Sequence, residues 1–323
     1  MKICIYGAGA IGAYLGAALV DAGCEVALVA RGPHLKALQQ NGLTLESAGA
    51  TRNVRIQATN DPASLGPQDY VILAVKAHSV RGAVDSIAAL LGPRTAIVTA
   101  QNGILWWYFY ALPGPLENHH LESADPGGFI WDAFGPQRAI GCVVYPSCEI
   151  VSPGVVRHTE GNRFMLGEPD GSKSERVVKL SEAMAAGGLR APVRPKIRDD
   201  IWFKLLGNAT FNPVSVLTHA TLEQMGADAG VRGVIRAVMG EAEAVATKLG
   251  VRFPMDLEKR IDGAVAVGAH KTSMLQDYEQ RRPLELDALV GSVAEIGRLV
   301  GVPTPMLDAM LALVRLKIGV RAG

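Results

Sequence analysis

Lys204, Asn208 and Asn212 stand four residues apart in the run WFKLLGNATFNP at 202–213. On a helix of 3.6 residues per turn this spacing projects one ammonium and two carboxamides from a single face. Trp202, Leu205, Leu206 and Phe211 crowd the stripe, and a stripe turned to water would have more charge around it. A second group follows in KTSMLQD at 271–277 and RRPLELD at 281–287. Ser273 either donates to a carboxylate or caps a helix. Glu285 either exchanges a hydrogen bond with a hydroxyl or is a surface helix acid. Reducing a carbonyl requires an acid for the developing alkoxide, donors that hold the substrate, and exclusion of water. These two groups contain the residue types for the first two tasks.

The elements that would serve such chemistry begin at the N-terminus. Residues 2–6 (KICIY) read as a short buried strand, Gly7-Ala8-Gly9-Ala10-Ile11-Gly12 follows at once, and a helix runs to about Ala22 before a second strand at 25–30. This is the opening of a dinucleotide-binding βαβ unit. Gly7 permits the tight turn, Gly9 lets the backbone approach a pyrophosphate, and Gly12 brings the helix against the strand. The helix N-terminus then presents free N–H groups to the anion. The second strand ends in Ala30-Arg31-Gly32-Pro33-His34, where an NAD site would carry an acid for the ribose 2′-hydroxyl. With no acid present, Arg31 reads either as the 2′-phosphate partner of NADP(H) or as a solvated surface residue. As a partner it contributes about 1.5–3 kcal/mol through a charge-assisted bond. Strands at 70–75 and 96–100 lead to Lys76 and to Gln101-Asn102-Gly103. Both sets fall at the carboxyl edge of a parallel sheet, where ligands of such folds bind, or serve only as turn and cap residues.

Composition limits the alternatives. The 323 residues carry 32 basic and 31 acidic side chains, a net charge of +1, and are 49% hydrophobic. That is too apolar for a disordered chain and too neutral to clothe duplex nucleic acid. The length suits two domains. The 36 glycines exceed the usual share of ~7% and point to an α/β chain with many tight turns. Cys4, Cys24, Cys142 and Cys148 form no CxxC pair and read as reduced structural thiols in a cytoplasmic protein. The uncharged stretch at 3–20 contains too much glycine and alanine for a membrane span.

Further along, alternation between about 139 and 166 suggests antiparallel strands around a Ser152-Pro153-Gly154 turn. A helix at 174–186 and a last strand at 190–193 precede a boundary at Pro195. Beyond it, the i, i+3, i+4 apolar spacing of 228–249 and the Thr304-Pro305 helix start describe an all-α second half. The expected division is a dinucleotide-binding domain at 1–195 and a helical catalytic domain at 196–323.

Four ordered blocks make the chain resemble the ketopantoate reductase (2-dehydropantoate 2-reductase) family over nearly its whole length. They are GAGAIG at 7–12, LAVKAH at 73–78 with QNG at 101–103, WFKLLGNATFNP at 202–213, and TSMLQD with RPLELDAL within 272–289. The resemblance implies an N-terminal NADP-binding Rossmann domain, a helical C-terminal domain and an active site in the cleft between them. It places Lys204 on the catalytic lysine and Glu285 on the active-site glutamate. Asn102, Asn208, Asn212 and Ser273 fall on substrate- or nicotinamide-contacting positions. Gly7, Ala8, Gly9, Ala10, Ile11, Gly12, Arg31, Lys76 and Asn102 fall on cofactor positions. The implied reaction is NADPH-dependent reduction of a small 2-keto acid, 2-dehydropantoate first among them. The expected partners are that substrate and a second copy of the chain as a homodimer, with neither nucleic acid nor membrane.

The chain departs from the family pattern just after Gly103. Five consecutive aromatic residues occupy 106–110, and an insert-like stretch at 113–134 carries His119, His120, Trp131 and Asp132. They form either a buried aromatic helix, a dimer contact or a reshaped substrate site. No third ligand has useful spacing to make a metal site of His119 and His120. His270 either contacts substrate or caps a helix. Two other functions share these motifs: a related reductase of another 2-keto acid or of an imine, as in opine-type dehydrogenases, and a non-catalytic NADP-binding sensor. Retention of both Lys204 and Glu285 argues against the sensor.

Overall fold

A computed structural model describes residues 1–322, with no description of the Ala322 side chain. The chain divides into two compact units, the first comprising Met1–Gln101, Leu105–His120 and Gly127–Ile197. The second comprises Asn102–Ile104, Leu121–Pro126 and the chain from Arg198 onward.

The first unit opens with β1 (Lys2–Tyr6), α1 (Ala10–Asp21), β2 (Glu25–Val29), α2 (Gly32–Asn41), β3 (Leu43–Ser47), β4 (Ala50–Val54) and β5 (Gln57–Thr59). It continues through β6 (Gln68–Leu73), α3 (Val84–Ala88), β7 (Leu91–Thr99), α4 (Phe129–Phe134) and β8 (Ala139–Val144). It ends with β9 (Ser147–Ser152), β10 (Val155–Glu160), β11 (Phe164–Gly167) and α5 (Glu175–Ala186). The main sheet runs β11-β8-β7-β6-β1-β2-β5. Strand order reverses direction at β1, so the glycine turn after β1 lies at a topological switch point. Ile3, Cys4 and Ile5 on β1 and Val71, Ile72 and Leu73 on β6 have no exposed surface, as expected for parallel strands covered on both faces.

The strands at 139–166 differ from the sequence expectation. β8 pairs parallel with β7 and extends the main sheet, and only β11 runs antiparallel to it. β9 and β10 do form the hairpin around Ser152-Pro153-Gly154, with Gly154 at φ +80°. β10 also pairs parallel with β3, which makes a second sheet in the order β4-β3-β10-β9. This pairing joins segments more than a hundred residues apart and leaves no local signature. The strand expected at 190–193 reduces to two isolated bridges, Arg163 to Arg190 and Leu166 to Val193. The aromatic run at 106–110 is a succession of turns, not a helix. Trp106, Trp107, Tyr108 and Phe109 are nonetheless buried. Trp107 Nε1 donates to Thr99 Oγ1 at 3.0 Å, and its ring lies where a Cβ at Gly141 would come within 2.9 Å. Cys4 and Cys142 are buried and in no disulfide, and burial pushes the Cys4 thiol up to about 12.

The second unit is helical: α6 (Ile197–Thr218), α7 (Leu222–Ala227), α8 (Ala229–Lys248), α9 (Leu257–Val265), α10 (Ser273–Glu279), α11 (Ser292–Val300) and α12 (Pro305–Ala322). Asp228 caps α8 through Val231 N–H, and Ile235, Val238, Met239, Ala242, Val245 and Ala246 form its buried stripe. A π-turn at Asp287–Gly291 leads directly into α11. Among the described residues, no helix is long and apolar enough to cross a membrane.

Candidate functional site

In the first unit the glycine turn has the shape an anion requires. Gly7 sits at φ +112°, and a Cβ there would meet Val75 Cγ1 at 2.6 Å. A Cβ at Gly12 would stand 2.0 Å from the Gly7 carbonyl oxygen, so only glycine lets α1 start this close to the turn. Gly9 is the N-cap of α1 and has open space where a side chain would be. No side chain caps α1 and no acid occupies its first turn. Its leading N–H groups and dipole therefore face that space. Arg31 is the exposed N-cap residue of α2. Lys76 is half-buried and precedes the short turn Ala77–Ser79 beyond β6.

In the second unit α6 carries Lys204, Asn208 and Asn212 on successive turns. Lys204 and Asn208 are half-buried, and Asn212 is only 4% exposed. Lys204 Nζ donates to Asn102 Oδ1 at 2.7 Å, and Asn102 Nδ2 donates to Glu285 Oε2 at 3.3 Å. The carboxamide faces the ammonium with its oxygen and the carboxylate with its nitrogen, the one orientation that satisfies both. Among the described residues, Asn212 Nδ2 is buried without a hydrogen-bond partner, an arrangement that costs about 1–3 kcal/mol.

Lys204, Asn102 and Glu285 are thus joined by direct bonds. Ser273 has no such bond among the described residues. It is the exposed first residue of α10, and the cap is Thr272, whose hydroxyl accepts from Leu275 N–H at 3.2 Å. Ser273 is therefore not the helix cap. Glu285 is half-buried ahead of the π-turn and is not a surface helix acid. His270 is exposed, and its carbonyl accepts from Leu222 N–H at 3.0 Å. His120 lies 4.6 Å from Trp131, centroid to centroid, and His119 meets Phe109 edge-on at 6.0 Å.

What anchors Asn102 has no signature near it in the sequence. Gly103 adopts φ +89°, and a Cβ there would stand 2.2 Å from the Ala288 carbonyl oxygen. That oxygen accepts from Ile104 N–H at 3.0 Å and from Ser292 Oγ at 2.7 Å. The Asn-Gly pair was the only local hint, and it named a turn without naming its receptor.

A glycine turn at the switch point of a parallel sheet, with a lysine–asparagine–glutamate chain of hydrogen bonds on a helical unit, defines an oxidoreductase of the dinucleotide-dependent class. Comparison with known proteins narrows the class. Residues 3–171 match the family described as ketopantoate reductase PanE/ApbA, and residues 196–318 match its C-terminal domain. The chain belongs to the ketopantoate reductase family. It is 56% identical over 316 residues to the 2-dehydropantoate 2-reductase of Mesorhizobium japonicum, covering 98% of this chain and 97% of the relative. The 2-dehydropantoate 2-reductase structure from Methylococcus capsulatus superposes with a TM-score of 0.84 at 28% identity, covering 99% and 97% of the two chains. D-mandelate dehydrogenase in complex with NADH and anilino(oxo)acetate shares the fold, with a TM-score of 0.83 at 22% identity and 99% coverage of each chain.

Proposed function

We propose that this chain is an NADPH-dependent reductase that converts 2-dehydropantoate to pantoate. The observation that carries this reading is the bonded chain Lys204–Asn102–Glu285. The 56% identity to a relative of that name supports the choice of substrate.

NADP(H) fits the first unit. The open cradle at Gly9, the uncapped α1 N-terminus and the exposed guanidinium of Arg31 suit a pyrophosphate and a 2′-phosphate. Gly7, Ala8, Gly9, Ala10, Ile11 and Gly12 would hold the pyrophosphate, Arg31 the 2′-phosphate, and Lys76 and Asn102 the rest of the cofactor. When bound, it supplies the hydride for the keto carbon. Lys204 delivers a proton to the keto oxygen, a general-acid role worth roughly 10²–10⁴ in rate. Its charge also stabilises the alkoxide as it forms. Glu285 orients the product hydroxyl, and Asn102 holds Lys204 and Glu285 in register. Asn208, Asn212 and Ser273 hold the substrate carboxylate and fix the approach of the carbonyl.

The exposed side chains Leu313, Leu316 and Val320, at helical spacing on α12, support assembly with a second copy of the chain. Light scattering at micromolar concentration tests this. The four cysteines, in no disulfide, support a reducing, cytoplasmic location.

The deciding experiment is NADPH oxidation by the purified protein across branched 2-keto acids, with and without amines, repeated on Lys204→Ala. Turnover of 2-dehydropantoate that collapses in the variant is expected. Turnover that requires an amine replaces this reading with imine reduction, and NADPH binding without turnover replaces it with a sensor.

A further inference from the structure

Gln101 stands two residues past the end of β7, at the carboxyl edge of the main sheet, and is only 9% exposed. Its Nε2 donates to the Val75 carbonyl at 2.7 Å. Its Oε1 is buried with no hydrogen-bond partner among the described residues. Turned over, the carboxamide would set Oε1 against the carbonyl oxygen of Val75, so this orientation is the one that makes a bond. The one hydrogen bond of this amide therefore runs to Val75, and the amide keeps it although the unsatisfied oxygen costs stability. Val75 in turn depends on that bond. The pairing of β6 with β1 and with β7 ends at Leu73, and Ala74 N–H still donates to the Tyr6 carbonyl at 3.0 Å. Beyond that point the ladder has stopped, and the Val75 carbonyl accepts from Gln101. Val75 is also the wall of the glycine turn: a Cβ at Gly7 would lie 2.6 Å from Val75 Cγ1 and 2.9 Å from Val75 N. The Val75 carbonyl and the Lys76 N–H belong to one planar peptide, so a bond that orients the first orients the second. Gly7, Val75, Lys76 and Gln101 all lie in the first unit.

We propose that Gln101 is a positioning residue for the cofactor. Its amide nitrogen holds the Val75–Lys76 peptide against the glycine turn, and so fixes both the wall of the cradle and the place from which Lys76 reaches. The bond ties the end of β7 to the end of β6, on the side of β1 away from β2 and Arg31. It thus braces the half of the switch point that the glycine motif itself does not supply. The proposal rests on the NADP(H) reading of the first unit. It adds that a residue outside the glycine motif sets the shape of that turn.

The test is NADP+ binding to the full-length protein by calorimetry, with each Kd taken relative to wild type at the same pH. Gln101→Leu fills the space without a donor, and its Kd should rise about tenfold. Gln101→Glu separates positioning from packing. Its protonated carboxyl has an O–H for the Val75 carbonyl, whereas its carboxylate has none and repels that oxygen. At about pH 5 its Kd should lie within about twofold of wild type, and at about pH 9 it should approach the Gln101→Leu value. In the cofactor-free protein, amide exchange in Gln101→Leu should quicken across Gly7–Gly9 as well as at Val75–Lys76. A Gln101→Leu Kd within about twofold of wild type overturns the proposal, as does a Gln101→Glu that matches Gln101→Leu at both pH values. Faster exchange confined to Val75–Lys76 overturns it too and leaves Gln101 a local tie. If Gln101→Leu does not fold, the pH dependence of Gln101→Glu decides. Failure of the wild-type protein to bind NADP+ would sink the cofactor reading itself, whereas the variant outcomes bear on Gln101 alone.

Discussion

A single carboxamide, that of Asn102, bridges Lys204 and Glu285: it accepts from the Lys204 ammonium at 2.7 Å and donates to the Glu285 carboxylate at 3.3 Å. In the proposed reduction the neutral carboxamide holds the Lys204 ammonium without taking its proton, and a substrate carbonyl can replace it as the acceptor.

Replacing Lys204 tests the proposed proton donor and changes no residue of the glycine turn. Lys204→Ala is expected to lower kcat by roughly 10²–10⁴, while NADPH affinity by fluorescence titration stays near wild type. A variant that keeps more than a tenth of wild-type kcat would rule out Lys204 as the general acid.

Gly103→Ala puts a methyl group where the Ala288 carbonyl oxygen lies 2.2 Å away, at a φ of +89° that L side chains rarely adopt. The chain must shift at that point, and Asn102 with it. The expected cost is about 1–3 kcal/mol of stability, with kcat reduced far more than the affinity for NADPH. Urea unfolding alongside steady-state kinetics separates the two effects, and wild-type values for both would show that the docking is not tight.

Arg31 tests the cofactor choice. Arg31→Ala should raise the NADPH KM roughly ten- to a hundredfold, the equivalent of one charge-assisted bond to a phosphate. The NADH KM should change little. Equal losses for the two nucleotides would remove Arg31 from the 2′-phosphate site.

His34 gives a pH-dependent stability. Gly154 N–H donates to its Nδ1 at 3.1 Å, which requires the neutral ring. Burial lowers its pKa below 6.5, with the Ala8 carbonyl offsetting part of the shift. The unfolded chain therefore binds the proton at higher pH than the folded one. The stability this group contributes is present above about 6.5 and declines as pH falls through the window below that value. Urea midpoints at neutral and at mildly acidic pH should differ more for wild type than for His34→Gln. An identical difference in both proteins would remove His34 from the account.

Local geometry is legible in the sequence. The glycine turn could be read residue by residue, because a tight turn, a close backbone approach and a helix start each demand glycine within six positions. The Lys204, Asn208 and Asn212 stripe follows from helical period alone, and α6 carries it as expected. The Thr304-Pro305 start of α12 and the Asp228 start of α8 are equally local. Thr272 and Ser273 have the same capping chemistry, and only backbone geometry makes Thr272 the cap of α10 and leaves Ser273 as its first residue.

By itself, then, the sequence determined a dinucleotide turn, an arginine in place of an acid, and a helix bearing an ammonium and two amides. Tertiary structure decided the rest. It made β8 a parallel strand and paired β3 with β10. It also placed Asn102 in the helical unit and joined it to Glu285 across 183 residues. The physical reason is that short-range spacing is enforced by backbone geometry, whereas contacts closing loops of a hundred residues or more depend on which packed faces meet. The Asn-Gly turn announced a bend at 102–103; only the carbonyl of Ala288, on a π-turn far along the chain, determined where that bend would hold its asparagine.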